Sequence, residues 1–236
     1  MATATVIVAI GVLIGREAYH RLDCGIDCSS LGLVFAMYLS ENEGDFYPEL
    51  SNEPGRLMFA ASESSESKSL YPDFMYYPGL LLCPSDPNSP PVGDPDPSKN
   101  PEWFIDDHSR FYLGYTVMND QEVAAFAKAY RAHLSTGAPF TEDLPVPAGT
   151  GAAGGDTIFR LQEGIERFYI TDTPNVVAPR VRGKIPIMIE RPENHFPPGG
   201  WVIYMDGHAN FISYPGKWPM TEKTIGILNS LDTLSQ

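Results

Sequence analysis

With 236 residues, 43% of them hydrophobic and 11% aromatic, the chain carries enough apolar material for a substantial core, which excludes a disordered protein and makes a single domain the default. The formal net charge of −14 is unevenly placed, because residues 41–107 hold fourteen Asp and Glu against three Lys and Arg. Such a surface repels nucleic acid and anionic lipid and favours cations or basic partners.

Residues 3–15, TATVIVAIGVLIG, are an uncharged apolar run of thirteen, shorter than the roughly 20 residues that a membrane-spanning helix needs. Continued through Tyr19 and Leu22, with Arg16 and Arg21 reaching the interface, the helix can sit in a bilayer or pack in the core of a helical filament. Val6, Val8, Ile10, Val12 and Leu13 are the residues expected to make that contact. A signal peptide is disfavoured, since no basic segment precedes the run and no A-x-A site ends it. The next stretch, 16–48, reads as the spine of the protein. Leu31, Val34, Phe35, Tyr38 and Leu39 fall at the spacing of one helical face, and the helix is expected to stop near Glu43-Gly44, before Pro48.

Residues 55–59 form a short element and 62–69 a polar loop. Pro84 to Pro101 contains seven prolines in eighteen residues, which rules out a helix or a central strand. Phe111 to Val117 reads as a strand. Asn119 with Glu122 makes a capping box for a helix over 119–134, whose apolar stripe is Val123, Phe126, Ala127, Tyr130 and Leu134. Gly149 to Gly155 lacks the Lys-Ser/Thr of a phosphate loop and is followed by Asp156, so it reads as a flexible loop. The segments 158–170 and 185–190 read as further strands. Trp201 to Met205 and Ala209 to Ser213 alternate on either side of Asp206-Gly207, a strong hairpin signal.

Several blocks resemble prepilin-type proteins, the pseudopilins of type II secretion and their relatives. The first runs from Cys24 through Leu31-Gly32-Leu33, Tyr38, Glu41 to Gly44 and Tyr47-Pro48. The second is Glu163-Gly164-Ile165-Glu166-Arg167-Phe168 with Ile170-Thr171-Asp172, followed by Ile185 to Met188 and Glu190. The third is Asn194-His195, Gly199-Gly200, Val202 to His208, Phe211-Ile212 and Tyr214-Pro215-Gly216. Together they span most of the chain outside 49–80 and 84–150. With Met1 counted as first residue, the pattern departs at the start, where Thr5 stands in place of the family's Glu.

The resemblance implies an α+β, pilin-like fold. Residues 1–43 form a hydrophobic and amphipathic helix, and 44–236 a globular head with an antiparallel sheet, an extra helix near 119–134 and an acidic, Pro-rich loop at 84–101. It implies a structural subunit of a filament or pseudopilus in the cell envelope, anchored in the inner membrane during assembly and self-associating through its N-terminal helix. It also implies a Cys24–Cys83 disulfide in an oxidising compartment, with Cys28 left over. A zinc site on Cys24 and Cys28 lacks a placed fourth ligand. Calcium, bound by some pseudopilins, would need backbone help at Asp94 and Asp96 or at Asp106 and Asp107.

No nucleophile motif accompanies His195, Asp206 and His208, so no catalytic residue and no metal ligand is expected. Asp206 is expected to set the hairpin turn and His195 to hydrogen-bond loop backbone. A secreted metal-dependent hydrolase or a carbohydrate-binding envelope protein, using Trp103, Phe104, Trp201 and Trp218, is the rival reading.

Overall fold

A computed structural model describes residues 2–41, 46–60, 70–87, 99–170 and 178–232, with the side chains of 2–11, 13, 178 and 179 left out. Helix α1 (Ala2–Glu41) is followed by a short helix α2 (Pro101–Phe104), strand β1 (Arg110–Tyr112), helix α3 (Asp120–Leu134), a two-stranded ribbon of β2 (Leu144–Pro145) and β3 (Thr157–Ile158), and helix α4 (Ala178–Arg182). Strands β4 (Pro186–Glu190), β5 (Gly199–Tyr204) and β6 (Ala209–Ser213) and helix α5 (Glu222–Asp232) complete the chain. The main sheet is antiparallel with order β1-β4-β5-β6, so the architecture is α+β, an N-terminal helix laid on a four-stranded sheet.

Forty residues of α1 extend for about 60 Å at 1.5 Å per residue. Burial begins at Cys24 and recurs at Cys28, Leu31, Phe35 and Tyr38 in steps of four and three, joined by Val34, with Leu39 partly covered. This is the expected face, extended one turn and more toward the N-terminus. Phe35 stacks on Tyr112 at 5.8 Å and Tyr38 meets Phe74 edge-on at 5.4 Å. The expected stop at Glu43-Gly44 lies outside the described residues, as do residues 88–98 of the Pro-rich loop.

The cap of α3 differs in one detail from the expected box. Asn119 Oδ1 accepts from the backbone N–H groups of Gln121 and Glu122, but the Glu122 carboxylate reaches past Asn119 to accept from Met118 and Ala153. The segment 158–170 does not join the main sheet. Ile158 pairs with Leu144, and Arg160 makes an isolated bridge to Tyr115. Gly164 then takes a left-handed conformation and starts a 3-10 turn over Ile165–Tyr169. The strand reading of 111–117 is likewise shortened to Arg110–Tyr112. At the hairpin only Gly207 has positive φ, and Tyr204 N–H donates to His208 O, so the turn is wider than a two-residue one.

Helix α5 is unforeseen. Ile225, Leu228 and Leu231 bury one side of it, and the Thr221 and Thr224 hydroxyls both donate to Asp120 Oδ1 at the start of α3. Its end is tied to the sheet by Arg191, which lies over Phe111 and bonds Asp232 at 3.0 Å and the Asp107 backbone carbonyl at 2.7 Å.

The Asp107 carboxyl in this network is pushed from 3.8 up to about 7 by burial and by the nearby Asp232 charge, while Leu57 N–H and Arg191 act the other way. Between those two values the folded chain holds a proton that the unfolded chain has released, so stability falls as pH rises through the window. Asp107→Asn is expected to remove this slope. Its urea midpoint relative to the unchanged chain should climb between about pH 4 and about pH 7, whereas a constant difference would show that Asp107 is not the titrating group.

Candidate functional site

The described residue types with the most chemistry converge where the middle of α1 crosses the ends of β1 and β4. Register places Arg110 on β1 directly opposite Glu190, the last residue of β4. Neither has more than 1% of its surface exposed, so each must find its partners inside the protein. Arg110 Nη1 donates to Leu80 O at 2.8 Å, and Nη2 donates to Cys24 Sγ at 2.8 Å and lies 4.0 Å from Glu190 Oε1. The Cys24 thiol donates to Glu190 Oε1 at 2.7 Å, and Trp201 N–H donates to Oε2 at 2.8 Å.

His195 enters from the loop before β5. Its Nδ1 lies 2.8 Å from Glu17 Oε1, one face of α1 above Cys24, and its Nε2 lies 3.3 Å from Glu190 Oε2 and 3.6 Å from Cys83 Sγ. The expectation that His195 bonds loop backbone is therefore corrected, because two carboxylates face the two ring nitrogens. Burial alone would raise the Glu190 pKa, but the hydrogen bond with His195 and the Arg110 charge hold it below the usual carboxylate range. Burial would lower the His195 pKa, and Glu190 followed by Glu17 raises it instead. Cys24, Cys28 and Cys83 are all buried thiols, and the Cys24 and Cys83 sulfurs, the pair that the resemblance would join, lie within 4.8 Å of each other.

Chemically, Cys83, His195 and Glu17 have the order of an activated thiol nucleophile. Cys83 has no exposed surface, so no substrate reaches it in this conformation. The donor atoms of Cys24, Cys83, Glu190 and His195 all lie within 4.8 Å of one another, the compactness of a metal cage.

The other signature residues serve packing. Asp206 and His208 lie beyond the far end of β5 from His195, about 20 Å away along a six-residue strand, so the structure does not bring the three together. Asp206 accepts from His208 N–H at 3.2 Å, and the His208 ring stacks on Tyr204. Gly199 leaves room for Phe211, and a Cβ on Gly200 would lie 2.8 Å from Glu190 O. Gly207 abuts Gly32 of α1, where an added Cβ would collide with the Gly207 carbonyl, and one on Gly25 would lie 2.5 Å from the Trp201 ring. Trp201 donates its indole N–H to Arg21 O and Phe104 is buried, which leaves these two rings committed to the fold. Asp106 and Asp107 face Arg56 and Arg191, and Asp94 and Asp96 lie outside the described residues. Val12 is exposed, while the side chains of Val6, Val8, Ile10 and Leu13 are likewise outside them.

Sequence reasoning missed Glu17, Arg110 and Glu190 as members of the site. A signal existed, since Glu17, Cys24 and Leu31 recur every seven residues and so share a helical face, and Glu190 closes an otherwise apolar strand. Comparison of the chain with family models, curated proteins and solved structures yields no match.

Removing the guanidinium leaves Glu190 with His195 as its one nearby cation among the described residues. Arg110→Ala is therefore expected to cost about 3–5 kcal/mol in chemical denaturation, and Arg110→Met combined with Glu190→Gln to recover a large part of it.

Proposed function

We propose that this protein is a pilin- or pseudopilin-like structural subunit of the cell envelope that assembles with copies of itself through α1. One observation carries the reading. While α1 buries Cys24, Leu31 and Tyr38 in the head, Val12, Tyr19, Ile26 and Leu33 recur every seven residues on the opposite side, each 63–67% exposed, with Leu22 and Met37 beside them. An apolar stripe of that length at a heptad spacing is the pattern with which helices pack on one another, and a monomer in water leaves it uncovered.

Support also comes from composition. The span Ile14–Glu41 is long and apolar enough to cross a membrane, and 44% of its most apolar 18-residue window is buried. Lipid would cover the stripe before assembly and neighbouring helices afterwards. Identical subunits related by a helical stagger make a heterologous contact that continues without closing, which gives a filament with helices at the axis and heads outside.

Electron microscopy of the full chain, reconstituted from detergent, tests this. Val12→Asp and Ile26→Asp, both on the exposed stripe, are expected to abolish filaments while the head keeps its cooperative melting transition. Filaments undiminished by either carboxylate would exclude α1 as the polymer core.

A further inference from the structure

We infer that Cys24, Cys83, Glu190 and His195 form a closed, four-coordinate site for Zn²⁺ that staples α1 to the head. The site is built by four separate segments, the middle of α1, the loop at Cys83, the end of β4 and the loop before β5. Two thiolates, an imidazole and a carboxylate are a donor set that selects zinc with tetrahedral geometry. A tetrahedron with Zn–S of about 2.3 Å and Zn–N or Zn–O of about 2.05 Å has S–N edges of about 3.6 Å and N–O edges of about 3.3 Å. The Cys83 Sγ to His195 Nε2 distance is 3.6 Å, and His195 Nε2 to Glu190 Oε2 is 3.3 Å. Glu190 faces His195 with Oε2 and Cys24 with Oε1, so one of the two oxygens ligates, and loss of the Cys24 thiol proton to solvent ends the 2.7 Å bond to Oε1 and frees the sulfur for the metal.

The surroundings are those of a metal centre. Glu17 holds His195 Nδ1 and turns Nε2 toward the other three donors, the outer carboxylate that orients a metal-bound imidazole. Arg110 and the Ser85 N–H donate to the Cys24 and Cys83 sulfurs. Charge closes as well, because two thiolates and a carboxylate are balanced by Zn²⁺ and one guanidinium in a place where no ligand is more than 3% exposed. A groove of about 830 Å³, lined by Arg16, Glu17, Arg21, Ser85, Asp86 and Phe196, opens beside Glu17, on the outer side of the four donors. With all four positions filled by protein, the site is structural. It stands whether or not α1 polymerises.

The test uses the full chain, purified in detergent under anaerobic, reducing conditions. Elemental analysis is expected to find one zinc per chain, and Co²⁺ added to chelator-treated protein to give the thiolate-to-cobalt and ligand-field absorption of a tetrahedral site. Cys28→Ser should keep both signals. Cys83→Ser should lose them, and Glu17→Gln should weaken Co²⁺ binding about 10- to 100-fold. Should Cys83→Ser fail to fold, the unchanged chain still decides, because chelation should lower its Tm and Zn²⁺ should restore it. Reduced protein that takes up neither metal, an octahedral cobalt spectrum, or a Cys24–Cys83 disulfide in natively produced protein that contains no metal would overturn the proposal.

Discussion

A carboxylate with no exposed surface governs how this chain is put together. Glu190 is held by Arg110 across the strand pair, by His195 from a loop, by the Cys24 thiol from the helix and by a backbone N–H from β5. Those four partners come from the elements that must be joined for the helix to lie on the sheet. Taking charges out of water is costly unless every lone pair is met, so the arrangement tolerates little displacement of α1. Apolar packing alone, through Phe35 on Tyr112 and Tyr38 on Phe74, would hold the helix without fixing its position so closely.

Helix α1 thus serves two environments. Its inward side is specified by shape and charge, while its outward side offers a repeating apolar stripe that nothing among the described residues covers. The acidic character of 41–107 falls on the head and not on that stripe. Copies brought together through their helices would keep their like charges at larger radius, where salt screens them over about 10 Å.

Much of this was legible before any coordinates. The periodicity of Leu31 to Leu39, the Asn119 cap and the alternation around Asp206-Gly207 are local signals, and each marks a real element. Readings failed where tertiary pairing decides the outcome. Residues 158–170 read as a strand, but Gly164 turns the backbone, and the Arg160 side chain is drawn inward to the carbonyls of Tyr47 and Thr141. The charged members of the site escaped notice because a single Glu or Arg beside an apolar run usually marks the run's solvated end. Only the register that sets Arg110 against Glu190 shows both to be interior. Helix α5 was missed although Ile225, Leu228 and Leu231 follow one another at three-residue steps.

Gly25 and Gly32 sit seven residues apart on α1, about 10 Å of helix. The Trp201 ring and the Gly207 carbonyl seat against them near the two ends of β5. A smooth ridge of side chains would let a helix creep along its groove under axial load. Two close seats at fixed separation prevent both sliding and rolling, since either motion drives a neighbouring side chain into the ring or the carbonyl. A pull on the N-terminal end of α1 would therefore pass into the hydrogen-bonded strands in shear, the loading direction in which a β-sheet shares force across many bonds at once.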